Sequence, residues 1–326
     1  MIISKTPFRI SFVGGGSDLK EFYREEGEGS VLSTSINKYM YLSMHDYFYS
    51  EKYFLKYSQT EIVDKVDEIK HDIIREVFRY FKISGTDFHS TADIPAGTGM
   101  GSSSAFTCGL INLCATKKNI RLTNAEIAKL ACHIEIDVLK EPIGKQDQYG
   151  CAIGGLNLIT FKADEKVEIN ILTLEQDKIT KLENNLYLFY TSTTRKASSI
   201  LSEQKSRTFK EKSVKEGLRK MSMMAKGLYN DFMNGQIDIL GEYLHEAWII
   251  KKELSQGISN PEIDELYNLG IRNGATGGKL LGAGGGGFIL FYVPDVNKKY
   301  FLDKMKSHKQ LHFQFDYEGA KIIYNN

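Results

Sequence analysis

The stretch from Asp93 to Phe106 reads DIPAGTGMGSSSAF, and it limits the chain more than any other. Gly97, Gly99 and Gly101 stand at alternate positions, and Ser102, Ser103 and Ser104 follow directly. A plain turn manages with one glycine. Three at this spacing predict a backbone that curls with its amides inward, around something that leaves no room for side chains. Before the loop, Phe88, Ser90, Ala92 and Ile94 alternate as in a strand; after it, Phe106, Leu110, Leu113 and Cys114 recur at helical spacing. Strand, glycine loop, helix is a layout that binds phosphate, because the loop amides and the free N–H groups of the helix start converge on one place. Serine hydroxyls there can reach phosphate oxygens or a magnesium ion. The competing reading, a tight turn with a serine N-cap, leaves the repeated glycines unexplained.

Other phosphate and nucleophile motifs fit poorly. G-x-x-x-x-G-K-[ST] does not occur. G-x-G-x-x-G occurs at Gly282, Gly284 and Gly287, but it precedes the strand-like FILFYV, the reverse of the dinucleotide-binding order. GSSSA (Gly101 to Ala105) only approaches G-x-S-x-G, and no histidine is placed to complete a triad. A formal net charge of +1 argues against a partner such as nucleic acid held by a broad basic surface. Cys108, Cys114, Cys132 and Cys151 show no C-x-x-C spacing and read as buried free thiols. MIISKTPFRISF lacks the layout of a signal peptide, and no run reaches the roughly 18 apolar residues of a membrane helix, so no membrane association and a cytoplasmic protein are expected.

Along the chain, PFRISFV reads as a first strand, ended by GGGSD (Gly14 to Asp18), and KYMYLSMHDYF as a second. Val66, Ile69, Ile73, Val77 and Phe81 predict an amphipathic helix over 61–82. Thr123 and Glu126 form a capping box. The helix it opens carries Ile127, Leu130, Ala131, Ile134 and Val138 on one stripe and closes at Pro142 and Gly144. GLNLITF and LYLFYT read as strands, and the chain from about 196 is mainly helical. The loop LGAGGGG, the strand FILFYV, a helix near 295–307 and the strand AKIIY finish it. Irregular alternation with adjacent strand pairs favours an α+β fold. The shift in composition near residue 180 suggests two domains, 1–180 and 181–326.

With these residues in view, the chain resembles the GHMP small-molecule kinases in three ordered motifs. PFRISFVGGGSD (Pro7 to Asp18), PAGTGMGSSSA and KLLGAGGGGFILF (Lys279 to Phe291) are similar to the first, second and third motifs of that family. The resemblance implies an N-terminal domain like domain 2 of ribosomal protein S5 and a ferredoxin-like C-terminal domain. It implies ATP and Mg²⁺ in a cleft between them, with the phosphates on Gly97, Gly99, Gly101, Ser102, Ser103 and Ser104. By the same resemblance Ser103 and Glu135 are the metal ligands. Glu135 lies near the edge of its helix's apolar stripe, and Asp137 on the opposite flank is the weaker choice. Asp147, between Gln146 and Gln148, resembles the family's aspartate that faces the acceptor hydroxyl. Arg9 matches a lysine or arginine beside it, which would keep Asp147 ionised.

Asp18 matches an aspartate that binds sugar hydroxyls, with Gly15 and Gly16 where galactokinases carry Glu-His, a departure that speaks against galactose. GGGSD with IGKQDQY looks most like the branch that phosphorylates the anomeric hydroxyl of D-glycero-D-manno-heptose 7-phosphate; fucokinase-like enzymes are near relatives. A phosphorylated acceptor needs a second anion site, and TSTTRKASS (Thr191 to Ser199), with Thr194 and Arg195, is the candidate. Its competitor is a hydroxyl-rich helix cap. Kinases of an unphosphorylated sugar such as L-fucose, and a non-catalytic sugar- or nucleotide-binding regulator, stay open as alternatives, as does a homodimer.

Overall fold

The computed structural model describes residues 1–49, 51–192, 203 and 211–326. Two sheets organise the chain. The first contains β1 (Ile2–Val13), β2 (Glu28–Asp46), β3 (Tyr53–Lys56), β4 (Thr60–Val63), β5 (Thr86–Ala92), β6 (Leu156–Lys162) and β7 (Val167–Ile171). The second contains β8 (Leu186–Tyr190), β9 (Gly277–Leu280), β10 (Phe288–Tyr292) and β11 (Gln310–Leu311), all antiparallel in the order β11-β8-β10-β9. The last strand, β12 (Lys321–Asn325), returns to the first sheet and pairs with β1. The division expected near residue 180 therefore separates β7 from β8 but leaves β12 with the first sheet.

Strand β2 is the spine of the first sheet. Its first half pairs with β6 and its second half with β5, while β1 runs beside it almost throughout. The sequence reading found only the second half. Residues Gly29–Ile36 are buried on both faces, so Ser30, Ser33, Thr34 and Ser35 stand among apolar residues and no alternation is visible. On the outer edge of β1, β12 covers only Ile2–Lys5. Further along that strand the backbone N–H of Arg9 donates to Met100 O at 3.1 Å, so the glycine loop docks where β12 stops.

Helix α1 (Lys20–Glu26) leaves β1 and packs on β2, while α2 (Asp72–Phe81), which precedes β5, packs on α3 (Ser102–Lys117), which follows the glycine loop and lies on β1 and β2. Helix α2 begins some ten residues later than the spacing predicted. Thr60–Val63 instead forms a hairpin strand with β3, and Glu61, buried, accepts from Tyr57 Oη at 2.5 Å and Lys70 N at 2.9 Å. The apolar spacing overlapped both elements, and pairing across the hairpin decided between them. Helix α4 (Asn124–Cys132) carries the expected capping box and runs into a π-helical turn, His133–Val138. The wider turn rotates Val138 off the apolar stripe to 41% exposure, against expectation. Helix α5 (Gln146–Ile153) leads to β6 and α6 (Gln176–Asn185) to β8; α7 (Lys212–Met233) packs on β1 and β2, while α8 (Leu240–Leu254) and α9 (Pro261–Arg272) pack on the second sheet and α10 (Lys298–Met305) precedes β11. Phe8, Ile10 and Phe12 of β1 share one core cluster with Met221 and Met224 of α7, which joins the two layers. All four cysteines are buried and free. Among the described residues no helix is long and apolar enough to cross a membrane.

Candidate active site

Gly97, Gly99 and Gly101 all take positive φ, at 76°, 79° and 75°, which curls the loop as the spacing implied. Gly101 caps α3 without a side-chain bond, so the hydroxyl of Ser102 and the first-turn amides are not consumed in capping. The second glycine loop, Leu281–Gly287, comes from the other sheet and presses on the first. A Cβ on Gly99 would lie 2.6 Å from Leu281 O, and one on Gly282 would lie 2.3 Å from the Gly99 Cα. Gly99 therefore serves two needs, a left-handed turn and a backbone-to-backbone approach. These two loops and the Gly15–Asp18 turn line one cleft.

Glu135, 1% exposed, lies beside the start of α3. Its Oε1 accepts from Ser103 Oγ at 2.7 Å; its Oε2 accepts from Ser104 Oγ at 2.9 Å and Gln148 Nε2 at 2.6 Å. Burial pushes its carboxyl above the usual range, and the three donors oppose that. Among the described residues no cation pairs with it. A buried carboxylate beside an exposed serine hydroxyl, held only by neutral donors, is a hard-oxygen set that suits Mg²⁺. Asp137, by contrast, is exposed and meets His133 at 3.1 Å.

At the other end, Arg9, 2% exposed, donates from Nε (2.9 Å) and Nη2 (2.6 Å) to the same oxygen, Asp147 Oδ1, and from Nη1 to Gly99 O at 2.7 Å. One guanidinium thus ties the first glycine loop to Asp147. Asp147 Oδ2 has no protein partner among the described residues. Asp18, 2% exposed, accepts from Gly16 N at 2.9 Å, from Gln146 N at 3.0 Å and from Gln146 Nε2 at 3.3 Å. Burial, reinforced by Asp147, lifts its carboxyl to about 6 against the opposing amide bonds. Gln146, the residue before Asp147, thereby holds Asp18 close to it.

The structure thus gathers Arg9, Gly15, Gly16, Asp18, the three loop glycines, the three serines, Glu135 and Asp147 around one cleft. Thr194 and Arg195 lie outside the described residues. Sequence reasoning missed Lys251 and Lys279, which also line the cleft. Lys251 is adjacent to Lys252 in what reads as an ordinary amphipathic helix, so only its burial, at 8% exposure, marks it.

The arrangement is that of a phosphoryl-transfer site, and the chain belongs to the GHMP kinases. Residues 67–155 match the GHMP kinases N terminal domain and residues 224–308 the GHMP kinases C terminal domain. It is a sugar kinase of that family, a phosphotransferase with an alcohol group as acceptor, and the family uses ATP. The chain is 32% identical over 98% of its length to a D-glycero-alpha-D-manno-heptose 7-phosphate kinase of Campylobacter jejuni, 98% of which is covered. A solved structure described as a D-glycero-D-manno-heptose 1-phosphate kinase from Bacteroides thetaiotaomicron superposes with a TM-score of 0.80 at 22% identity, covering 100% of both chains. A putative sugar kinase of Campylobacter jejuni matches at a TM-score of 0.74 and 26% identity, covering 98% of this chain and 97% of that one.

Proposed function

We propose that the protein transfers the terminal phosphoryl group of ATP to the anomeric hydroxyl of D-glycero-D-manno-heptose 7-phosphate, giving the 1,7-bisphosphate. The observation that carries the reading is the pairing at the acceptor end. Arg9 occupies one oxygen of Asp147 and leaves Oδ2 for a hydroxyl, while Asp18 is held close by through Gln146. Two carboxyls so placed suit a polyhydroxylated acceptor, one at the reacting hydroxyl and one at its neighbours. The similarity to the Campylobacter heptose 7-phosphate kinase supports the choice of sugar.

In this reading the amides of Gly97–Gly101 and the start of α3 cradle the ATP phosphates. Ser103 and Glu135 hold Mg²⁺, which when bound neutralises polyphosphate charge. Asp147 accepts or orients the acceptor proton, and Arg9 holds its other oxygen in place. Thr194 and Arg195 hold the acceptor's existing phosphate. Thr191 exchanges bonds with Gly287 of the second glycine loop (N to Gly287 O 2.9 Å, Gly287 N to Oγ1 3.0 Å).

The test is ATP-dependent turnover of heptose 7-phosphate, free heptose and L-fucose, with the product read by ³¹P NMR. A new phosphorus signal coupled to the anomeric proton of heptose 7-phosphate is expected. Preferred turnover of L-fucose would replace this acceptor with an unphosphorylated one. Absence of turnover on all three would leave the acceptor assignment without support.

A further inference from the structure

Lys251 on α8 and Lys279 on β9 are 8% and 3% exposed, and both line the cleft. Lys251 Nζ donates to Leu280 O at 2.8 Å and Gly282 O at 2.5 Å. Lys279 Nζ donates to Ser11 O at 3.1 Å and Phe12 O at 2.8 Å. A neutral amine spends both its N–H donors on these carbonyls, and a protonated one has a third N–H left for an anion. Among the described residues neither lysine meets a carboxylate. Arg9 lies near enough to act on both electrostatically, but its own partner, Asp147, is already doubly engaged with it.

Pinning carbonyls does not require this arrangement. A neutral donor would hold the same oxygens without the desolvation cost of a buried charge. Arg9 with its one paired carboxylate, and two buried lysines that become cations when they take up a proton, make a wall that an arriving anion would complete. The wall faces the glycine loops, since the carbonyl of Gly282 that Lys251 holds belongs to the residue lying against Gly99. Ser11 and Phe12, held by Lys279, adjoin Arg9 on the acceptor side.

We propose that Lys251 and Lys279 together bind a phosphate group of a substrate in the cleft, opposite the Gly97–Gly101 loop. That phosphate is either the terminal one of ATP or the one already on the acceptor. The second source rests on the phosphorylated-sugar reading above, and the first does not.

A consequence distinguishes this role from a structural one. Burial and the neighbouring cations depress both amines, Lys279 to about 7 and Lys251 well below its ordinary value. The other ionisable groups of the cleft are Arg9, Asp18, Glu135, Glu141 and Asp147. An arriving phosphate dianion raises the amines again, so its binding takes up protons. At about pH 8, nucleotide and sugar phosphates are already deprotonated, so the proton goes to the protein.

The experiment is calorimetry on the intact protein with Mg²⁺ and AMPPNP, Mg²⁺ and ADP, and heptose 7-phosphate, in buffers of different ionisation enthalpy, beside kcat/KM for heptose 7-phosphate and free heptose. Lys251→Met and Lys279→Met remove the charge at nearly constant volume. A loss of roughly tenfold or more for AMPPNP, with ADP little changed, supports the proposal and names ATP as the source. The same loss for heptose 7-phosphate, with free heptose spared, supports it and names the acceptor. Unchanged affinities, or equal losses on every ligand, overturn it and make the lysines carbonyl pins. Should the variants fail to fold, the unmodified protein still decides. Proton uptake with AMPPNP or with heptose 7-phosphate supports the proposal, and uptake with neither overturns it. A failure of heptose 7-phosphate alone, with AMPPNP behaving as expected, counts against the acceptor reading and not against the lysines.

Discussion

The two ends of the cleft use the same functional group in different company. Glu135 sits among two serine hydroxyls and a glutamine amide, all neutral. Asp147 sits against a guanidinium that takes one of its oxygens twice. Neutral donors orient a carboxylate without cancelling its charge, and leave it to attract a cation. A guanidinium supplies the counter-charge in advance and leaves a free oxygen for a hydroxyl. In the proposed reading, the company of each carboxylate, more than its identity, separates a metal end from an acceptor end.

The strongest way to break this comparison is Asp147→Asn. It should cut kcat by roughly 10²–10⁴-fold, if Asp147 acts as a general base. ATP affinity, set at the other end, should hardly move. Single-turnover kinetics beside nucleotide titration would separate the two. A loss confined to the KM for ATP would place Asp147 at the phosphate end and erase the distinction.

Asp18 sharpens the comparison because it has no guanidinium, and its three amide donors do not offset its burial. Its carboxyl is carried from 3.8 to about 6, first by burial, and that shift corresponds to about 3 kcal/mol between protonation states. The unfolded chain releases this proton near pH 4 and the folded protein near pH 6. Between them the folded state holds the extra proton, so the contribution is complete below about pH 4 and lost as pH rises through about 6. Asp18→Asn should therefore unfold at higher denaturant than the unmodified protein at neutral pH, while binding its acceptor less well. Denaturant titrations at pH 4.5 and 7 measure it; a variant equally stable relative to the parent at both would remove Asp18 from the list of strained groups.

Much of this site was legible because its signals are local. The glycines need positive φ, the serines open a helix, and the Thr123–Glu126 cap closes within one turn. What stayed hidden depends on contacts between distant segments. The hairpin at Thr60–Val63 shares its apolar spacing with a helix until β3 is seen beside it. The first half of β2 shows no alternation because both its faces are covered. Lys251 and Lys279 look like surface lysines until α8 and β9 bury them against carbonyls of β1 and the second glycine loop.

Glu135→Gln tests the metal end alone. It keeps the shape and removes the charge, and it replaces one accepting oxygen with an NH2 that cannot accept from the serines or from Gln148. The Mg²⁺ concentration for half-maximal rate should rise about tenfold, the scale of a charge-assisted contact. A Mg²⁺ titration that does not move would reduce Glu135 to a buried support for the serines.

The smallest effect is the most selective. Ser103 and Ser104 both donate to Glu135, but Ser104 is buried and Ser103 exposed. If Ser103 is the metal's hydroxyl ligand, its loss removes a ligand and a donor together. Ser104→Ala removes only a donor, worth roughly 2–10-fold in Mg²⁺ affinity. Losing that donor also pushes the already raised Glu135 carboxyl further up, so the acid side of the rate profile should move to higher pH. Ser103→Ala should show the larger Mg²⁺ effect of the two. Equal effects would mean that both hydroxyls merely hold the carboxylate, and that the cation takes its second ligand elsewhere in the cleft.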